Sequence, residues 1–228
     1  MSHDLQAIAQ RALELVADGS VVGLGTGHAA TAFIEALGKK VGGGFRVRGV
    51  PTSQASADLA QSLGIELTSL NEVDQIDVDV DGADEVDPEG NLIKGYGGAL
   101  VREKIVAAAS RRLVILVGAE KLVPRLGSHG ILPVEIVTFA LAFCSRRLAE
   151  LGYTSSPRRH DGQLFISDNG NYVLDCRLQD LPRPEETERA ICEIPGVVGT
   201  GLFLGMAPTL LIATDGGIEM RECKRAGT

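Results

Sequence analysis

The stretch Ser20-Val21-Val22-Gly23-Leu24-Gly25-Thr26-Gly27-His28-Ala29 decides how this chain is read. A short apolar run ends in a glycine turn, and Ala29–Leu37 then carries helical spacing. Glycines in such a turn let backbone N–H groups and a helix N-terminus face an anion. Upstream, Leu5–Ala17 puts Leu5, Ile8, Ala9, Ala12, Leu13 and Val16 on one helical face. Downstream, Phe45–Val50 reads as a strand, Ser53–Leu63 as a helix stopped by Gly64, and Ile65–Leu67 and Ile76–Val80 as strands. Gly98–Ser110 reads as a helix and Leu113–Val117 as an apolar strand. This order predicts an α/β fold: a Rossmann-like, mostly parallel sheet with helices on both faces. Ligands of such sheets sit in the loops after the strands' carboxyl ends.

The second half changes character. Pro133–Leu151 reads as a short strand and a long helix, and Thr154–Arg159, Leu164–Ser167 and Asn171–Arg177 as antiparallel strands with a turn at Asp168–Asn171. Pro184–Glu193 reads as a helix and Val197–Leu204 as one strand, before apolar Leu210–Thr214 rejoins the first sheet. The expected division is a Rossmann-like catalytic domain over 1–127 and 206–228, with a smaller inserted α+β domain over 128–205.

Composition narrows the function. The chain has 228 residues and a net charge of −8, with no Trp, three Tyr and six Phe. An acidic chain with few aromatic platforms argues against nucleic acid as a partner. The apolar runs Ile136–Phe143 and Leu202–Ala213 are too short to span a bilayer, so no membrane partner is expected. No secretory signal is visible at the start, and Cys144, Cys176, Cys192 and Cys223 form no CxxC pair, which fits free thiols in the cytoplasm. His3, His28, His129 and His160 are scattered, so no metal site is expected.

The glycines Gly25 and Gly27 also fit a loose dinucleotide fingerprint, but the next strand ends Arg48-Gly49-Val50-Pro51 without the acid that would hold a ribose. A phosphate or carboxylate ligand, a dinucleotide and tight packing all remain open for this loop. Thr52 and Ser53 begin a second strand-to-helix turn, as helix caps, ligand contacts or both. Between Asp74 and Gly90 there are eight acids and no base, with Asp81 and Asp84 at the carboxyl end of a strand. Paired carboxylates suit proton transfer, with a divalent cation as the rival use. Lys94-Gly95-Tyr96-Gly97-Gly98 then leads into a helix carrying Glu103.

These blocks resemble type A ribose-5-phosphate isomerase. The likeness rests on Gly23–Gly27, Pro51-Thr52-Ser53, Val80–Glu85, Lys94–Lys104, Leu132–Glu135, Asp168–Asn171 and Ile194–Val198, and it covers nearly the whole chain. The resemblance implies interconversion of ribose 5-phosphate and ribulose 5-phosphate, in the non-oxidative pentose phosphate pathway, with no metal or other cofactor. It implies Glu103 as the base working at carbons 1 and 2, Asp81 with Asp84 as proton carriers at the oxygens, and Lys94 as the oxyanion donor. It further implies that Gly25, Thr26, Gly27 and Lys121 hold substrate hydroxyls or phosphate, in a homodimer or homotetramer. His28, Ser53, Gly97 and Gly98, at the same glycine and hydroxyl turns, are expected as further contacts of the sugar phosphate, and the compartment expected is the cytoplasm. A sugar-phosphate-binding regulatory module and an isomerase of a different sugar are the alternatives.

The chain also departs from the family pattern. His28-Ala29 replaces the usual Ser-Thr, Gly118-Ala119-Glu120 replaces a polar run, and Asp79 and Tyr96 stand where apolar or small residues are usual. Two readings of His28 stay open: protonated, it replaces the lost hydroxyl as a phosphate donor, or it points away and backbone N–H groups alone hold the phosphate.

Overall fold

A computed structural model describes residues 2–178 and 181–224. It contains two compact units: 1–83 with 102–121 and 205–228, and 84–101 with 122–204. Segments 84–101 and 122–127, expected in the first domain, group with the second unit. Their placement follows from strand pairing: Glu85–Val86, Leu92–Ile93 and Leu202–Phe203 form an antiparallel three-stranded sheet. The expected spans 1–127 and 206–228 reach, at Met1 and at 225–228, outside the described residues.

The first unit is the predicted parallel sheet. Its strand order is Gly217–Glu222, Thr209–Thr214, Ser110–Gly118, Ile76–Gly82, Val21–Leu24, Arg48–Pro51 and Glu66–Leu67. All pairings are parallel except the C-terminal hairpin, Thr209–Thr214 with Gly217–Glu222. Helices α1 (Ser2–Leu13), α2 (His28–Gly42) and α3 (Gln54–Ser62) pack residues such as Ile8, Phe33 and Ala60 with Val22, Leu24, Val78 and Val80. Helix α4 (Leu100–Ala108) brings Val106 against Val21, Val50 and Ile76, so helices cover both faces. The strand order turns at the neighbours Val21–Leu24 and Ile76–Gly82, from which the chain runs outward in both directions. The crevice beyond their carboxyl ends is where this architecture binds ligands.

The second unit contains an antiparallel sheet ordered Val197–Thr200, Ile131–Ile136, Tyr172–Arg177 and Ser155–Pro157. Helices α5 (Leu141–Glu150) and α6 (Pro184–Cys192) supply Cys144, Leu148 and Ile191 to its core. The single strand expected over Val197–Leu204 is broken at Gly201. Gly201 leaves one sheet and enters another: its N–H donates to Pro133 and its carbonyl accepts from Lys94 N–H at 2.9 Å. A Cβ at Gly201 would lie 2.2 Å from the Lys94 carbonyl oxygen, so a side chain there would block the crossover.

Candidate active site

The glycine loop is built around one carboxylate. Asp77, Asp79 and Asp81 alternate along the strand Ile76–Gly82 and share a face. Asp81 is fully buried, and its Oδ1 accepts the N–H of Thr26 at 3.1 Å and of Gly82 at 2.7 Å. Gly25 N–H is held by the Val80 carbonyl at 3.1 Å. The glycine at 25 is required by close approach, because a Cβ there would sit 2.2 Å from Asp81 Oδ1.

A cluster of hydroxyls backs this loop. Thr26 Oγ1 lies 2.7 Å from Thr52 Oγ1 and donates to Ser53 Oγ at 2.8 Å. Ser53 caps α3, accepting Ser56 N–H at 3.1 Å, and Ser56 Oγ donates to the Gly25 carbonyl at 2.6 Å. The capping role read for Ser53 is therefore present, and Ser53 is buried. Ser56 is the residue the sequence reading missed. Its signal was the third position after a Ser N-cap, but its partner Gly25 is 31 residues away.

Around the same parallel sheet, Gly27 takes a φ of 105° and His28 opens α2, exposed to solvent. Ala29 faces Gly82, whose Cβ would lie 3.5 Å from its methyl. Buried Asp79 lies beside Gly23, where an added Cβ would come within 2.5 Å of its Oδ1 and 2.7 Å of Val106. Glu103 is 3% exposed and stands one helical turn before Val106, on the same face of α4. Helix α4 feeds the strand Ser110–Gly118, so its first turn lies toward the carboxyl ends of the parallel strands. Lys121 closes a 3-10 turn directly after that strand and is half-buried. The first unit thus gathers Gly25, Thr26, Ser53 and Asp81 by direct contact, and places Gly27, His28, Glu103 and Lys121 at the same end of the sheet.

The second unit holds the other predicted group. Asp84 Oδ2 accepts Tyr96 N–H at 3.0 Å, and Asp84 N–H donates to the Ile93 carbonyl. Lys94 is 2% exposed, with Nζ 5.5 Å from the Phe203 ring centre, a cation–π contact. Gly95 and Gly98 take φ values of 104° and 85°, and Gly98 N–H closes the turn on the Gly95 carbonyl at 2.9 Å. Gly97 is exposed and Gly98 buried. Burial first, and the Asp84 charge next, push the Tyr96 phenol above its ordinary range, so it is neutral at physiological pH. Glu85, beside Asp84, accepts the N–H groups of Gly127 and His129, each at 2.6 Å.

Among the described residues, no group of three His, Cys, Asp or Glu side chains is placed to hold a metal ion, and no helix is long and apolar enough to cross a membrane.

The chain is similar to known proteins over most of its length. The model of the family described as ribose 5-phosphate isomerase A (phosphoriboisomerase A) matches residues 48–217. Ribose-5-phosphate isomerase A of Gloeobacter violaceus is 52% identical over 216 residues, covering 94% of this chain and 94% of that protein. The solved structure of ribose 5-phosphate isomerase A from Methanocaldococcus jannaschii is similar with a TM-score of 0.92 at 36% identity, covering 97% of this chain and 99% of that one. A D-ribose-5-phosphate isomerase solved in complex with phospho-erythronic acid gives a TM-score of 0.93 at 36% identity, with 97% and 98% covered.

Proposed function

The chain belongs to the ribose-5-phosphate isomerase A family, and on that premise we propose how its residues divide the interconversion of D-ribose 5-phosphate and D-ribulose 5-phosphate. The aldose loses the proton on C2, passes through an enediolate and regains a proton on C1, while a proton leaves O2 and another joins O1. Glu103 takes the carbon proton and returns it. Asp81, with Asp84, carries the protons of the oxygens and helps open the sugar ring. Lys94 supplies positive charge to the enediolate oxygen. Gly25, Thr26, Gly27, His28, Ser53, Gly97, Gly98 and Lys121 bind the hydroxyls and the phosphate.

The observation that carries this reading is the glycine loop folded onto Asp81. Two backbone N–H groups hold one carboxylate oxygen of a fully buried aspartate at the carboxyl end of a parallel sheet. Such donors fix the direction of the carboxyl group. We assign the catalytic domain to 1–127 with 206–228, which joins the parallel sheet to segments 84–101 and 122–127 of the second compact unit, and the smaller domain to 128–205.

The test is to supply ribose 5-phosphate without any cofactor and follow ketose formation. Glu103→Gln is expected to lower turnover by about 10²–10⁴-fold with little change in the Michaelis constant. A variant keeping more than about a third of wild-type turnover, with chemistry limiting, overturns the assignment. Binding of ribose 5-phosphate without conversion would favour a regulatory module, and faster turnover of another sugar would move the substrate.

We also propose a cytoplasmic homodimer or homotetramer. Val137, Phe139, Phe143 and Val198 are exposed apolar residues of the second unit, with Phe139 at 99% exposure. Isolated exposed apolar side chains are ordinary, but several on one unit fit a surface covered by another copy. Sedimentation equilibrium checks it, and a monomer at micromolar concentration would refute it.

A further inference from the structure

Arg158 lies outside every motif read from the sequence, yet its side chain reaches the loop that carries Lys94. One edge of the guanidinium grips Asp175, Nε donating to Oδ2 at 3.1 Å and one terminal nitrogen to Oδ1 at 2.5 Å. The other terminal nitrogen donates to two successive carbonyls, Gly95 at 2.8 Å and Tyr96 at 2.9 Å. The pair is largely buried, with side-chain exposures of 13% and 26%. The short hairpin of Arg159–His160 with Gln163–Leu164 returns the chain to Phe165, whose N–H donates to the Arg158 carbonyl at 2.9 Å. Its ring lies against Gly98, where a Cβ would come within 2.4 Å of the ring edge.

The geometry has a directional consequence. A trans peptide sets its N–H opposite its C=O. With the Gly95 and Tyr96 carbonyls both turned to Arg158, the N–H groups of Tyr96 and Gly97 point the other way. The Tyr96 N–H is the one that Asp84 accepts, at 3.0 Å. Arg158 therefore aims the Gly97 N–H to the Asp84 side of the loop. A planar fork suits this task, because it pairs with a carboxylate along one edge and still offers donors to the carbonyls.

We propose that Arg158, held by Asp175, is a positioning residue for the isomerisation: it fixes the peptide planes between Gly95 and Gly97 and so the presentation of Lys94, Asp84 and the Gly97 N–H to the sugar. The proposal rests on the reading of Lys94, Asp84 and Gly97 as site residues.

The experiment compares Arg158→Ala, Arg158→Lys and the neighbouring control Arg159→Ala, with Lys94→Ala in parallel. Arg158→Ala is expected to lower kcat about 10- to 100-fold, as loss of alignment does, with a smaller change in the Michaelis constant. Millimolar guanidinium ion should restore part of that loss, and sodium chloride at equal ionic strength should not. Arg158→Lys keeps the charge without the fork and should remain impaired. If Arg158→Ala does not fold, Arg158→Lys with and without guanidinium decides the question. Wild-type kcat in the folded Arg158 variants, with Lys94→Ala inactive, overturns the positioning role and leaves the site reading intact. Wild-type kcat in Lys94→Ala overturns the site reading itself. A loss in Arg158→Ala that guanidinium leaves untouched and that tracks the unfolded fraction marks a structural arginine and also overturns the proposal.

Discussion

The Asp81 carboxyl occupies the space that a side chain at Gly25 would need: a Cβ at Gly25 would lie 2.2 Å from Oδ1, 2.3 Å from Cγ and 2.6 Å from Cβ of Asp81. Asp81 is short and is already tied to Thr26 and Gly82, so it has no long stem to swing aside. Gly25→Ala is expected to displace the carboxylate by about an ångström and to lower kcat about 100-fold. Gly42→Ala is the control, since no atom lies within 4 Å of a Cβ there. At that last residue of α2 the change should raise stability by up to about 1 kcal/mol and leave turnover alone. Equal turnover in the two variants would show that the Asp81 position does not matter.

Glu135 organises the turn Ser167–Asn171 from the neighbouring strand. It is fully buried, and its Oε1 accepts Ser167 Oγ at 2.9 Å, Asn169 Nδ2 at 3.0 Å and Asn171 Nδ2 at 2.9 Å. Glu135→Gln keeps an acceptor oxygen but loses the charge that strengthens these bonds, at a cost of about 1 kcal/mol. Glu135→Ala leaves three donors without their acceptor and should cost about 3 kcal/mol or more. Urea denaturation of the three proteins checks the order; equal midpoints would remove Glu135 from the stabilising network.

The parallel half was legible because each strand announces itself twice, by an apolar run and by the glycine or hydroxyl turn after it. Gly23–Gly27 and Pro51–Ser53 fell where expected, at the ends of Val21–Leu24 and Arg48–Pro51. Glu85–Val86 and Leu92–Ile93 were not legible, because two residues carry no period; they pair with each other, and the third strand, Leu202–Phe203, which pairs with Leu92–Ile93, is distant in sequence. Gly217–Glu222 was missed for another reason: as an edge strand with mostly exposed residues, it lacks the apolar face that marks a strand. Among the residues proposed for the site, Asp81, Asp84, Lys94 and Glu103 stood out through their neighbours in sequence. Ser56 and Arg158 act on backbone 31 to 63 residues away, and no local pattern marks such a bond.

Chelation is expected to leave the activity unchanged. Asp81 Oδ1 already accepts two N–H groups and Asp84 Oδ2 a third, and no three His, Cys, Asp or Glu side chains among the described residues are placed to hold a metal ion. Dialysis against EDTA followed by an assay with ribose 5-phosphate checks this. Loss of activity restored by a divalent ion would turn Asp77–Asp87 into a metal site and overturn the role assigned to Lys94.

The cysteines predict both a reactivity pattern and a pH dependence. Cys144 and Cys176 are buried, whereas Cys192 is exposed and Cys223 partly so. Burial pushes the Cys176 thiol up to about 12, with the adjacent Asp175 charge adding to it, and burial also raises Cys144. Thiolate is the reactive form, so at pH 8 a thiol reagent should modify Cys192 and Cys223 and spare the buried pair until the chain unfolds. The sign of the stability effect follows from linkage. A thiol in the unfolded chain ionises near its ordinary ~8.5, while Cys176 in the folded protein stays neutral to about 12. Its contribution is complete below ~8.5 and is lost as pH rises through that window, by about 1.4 kcal/mol per pH unit once the unfolded thiol is ionised. Wild type and Cys176→Val should therefore diverge in urea stability between pH 9 and pH 10.5, wild type losing about 2 kcal/mol more. Other groups titrating in this range cancel in the comparison. Parallel pH profiles for the two proteins would mean that the Cys176 thiol ionises as readily in the fold as in the unfolded chain.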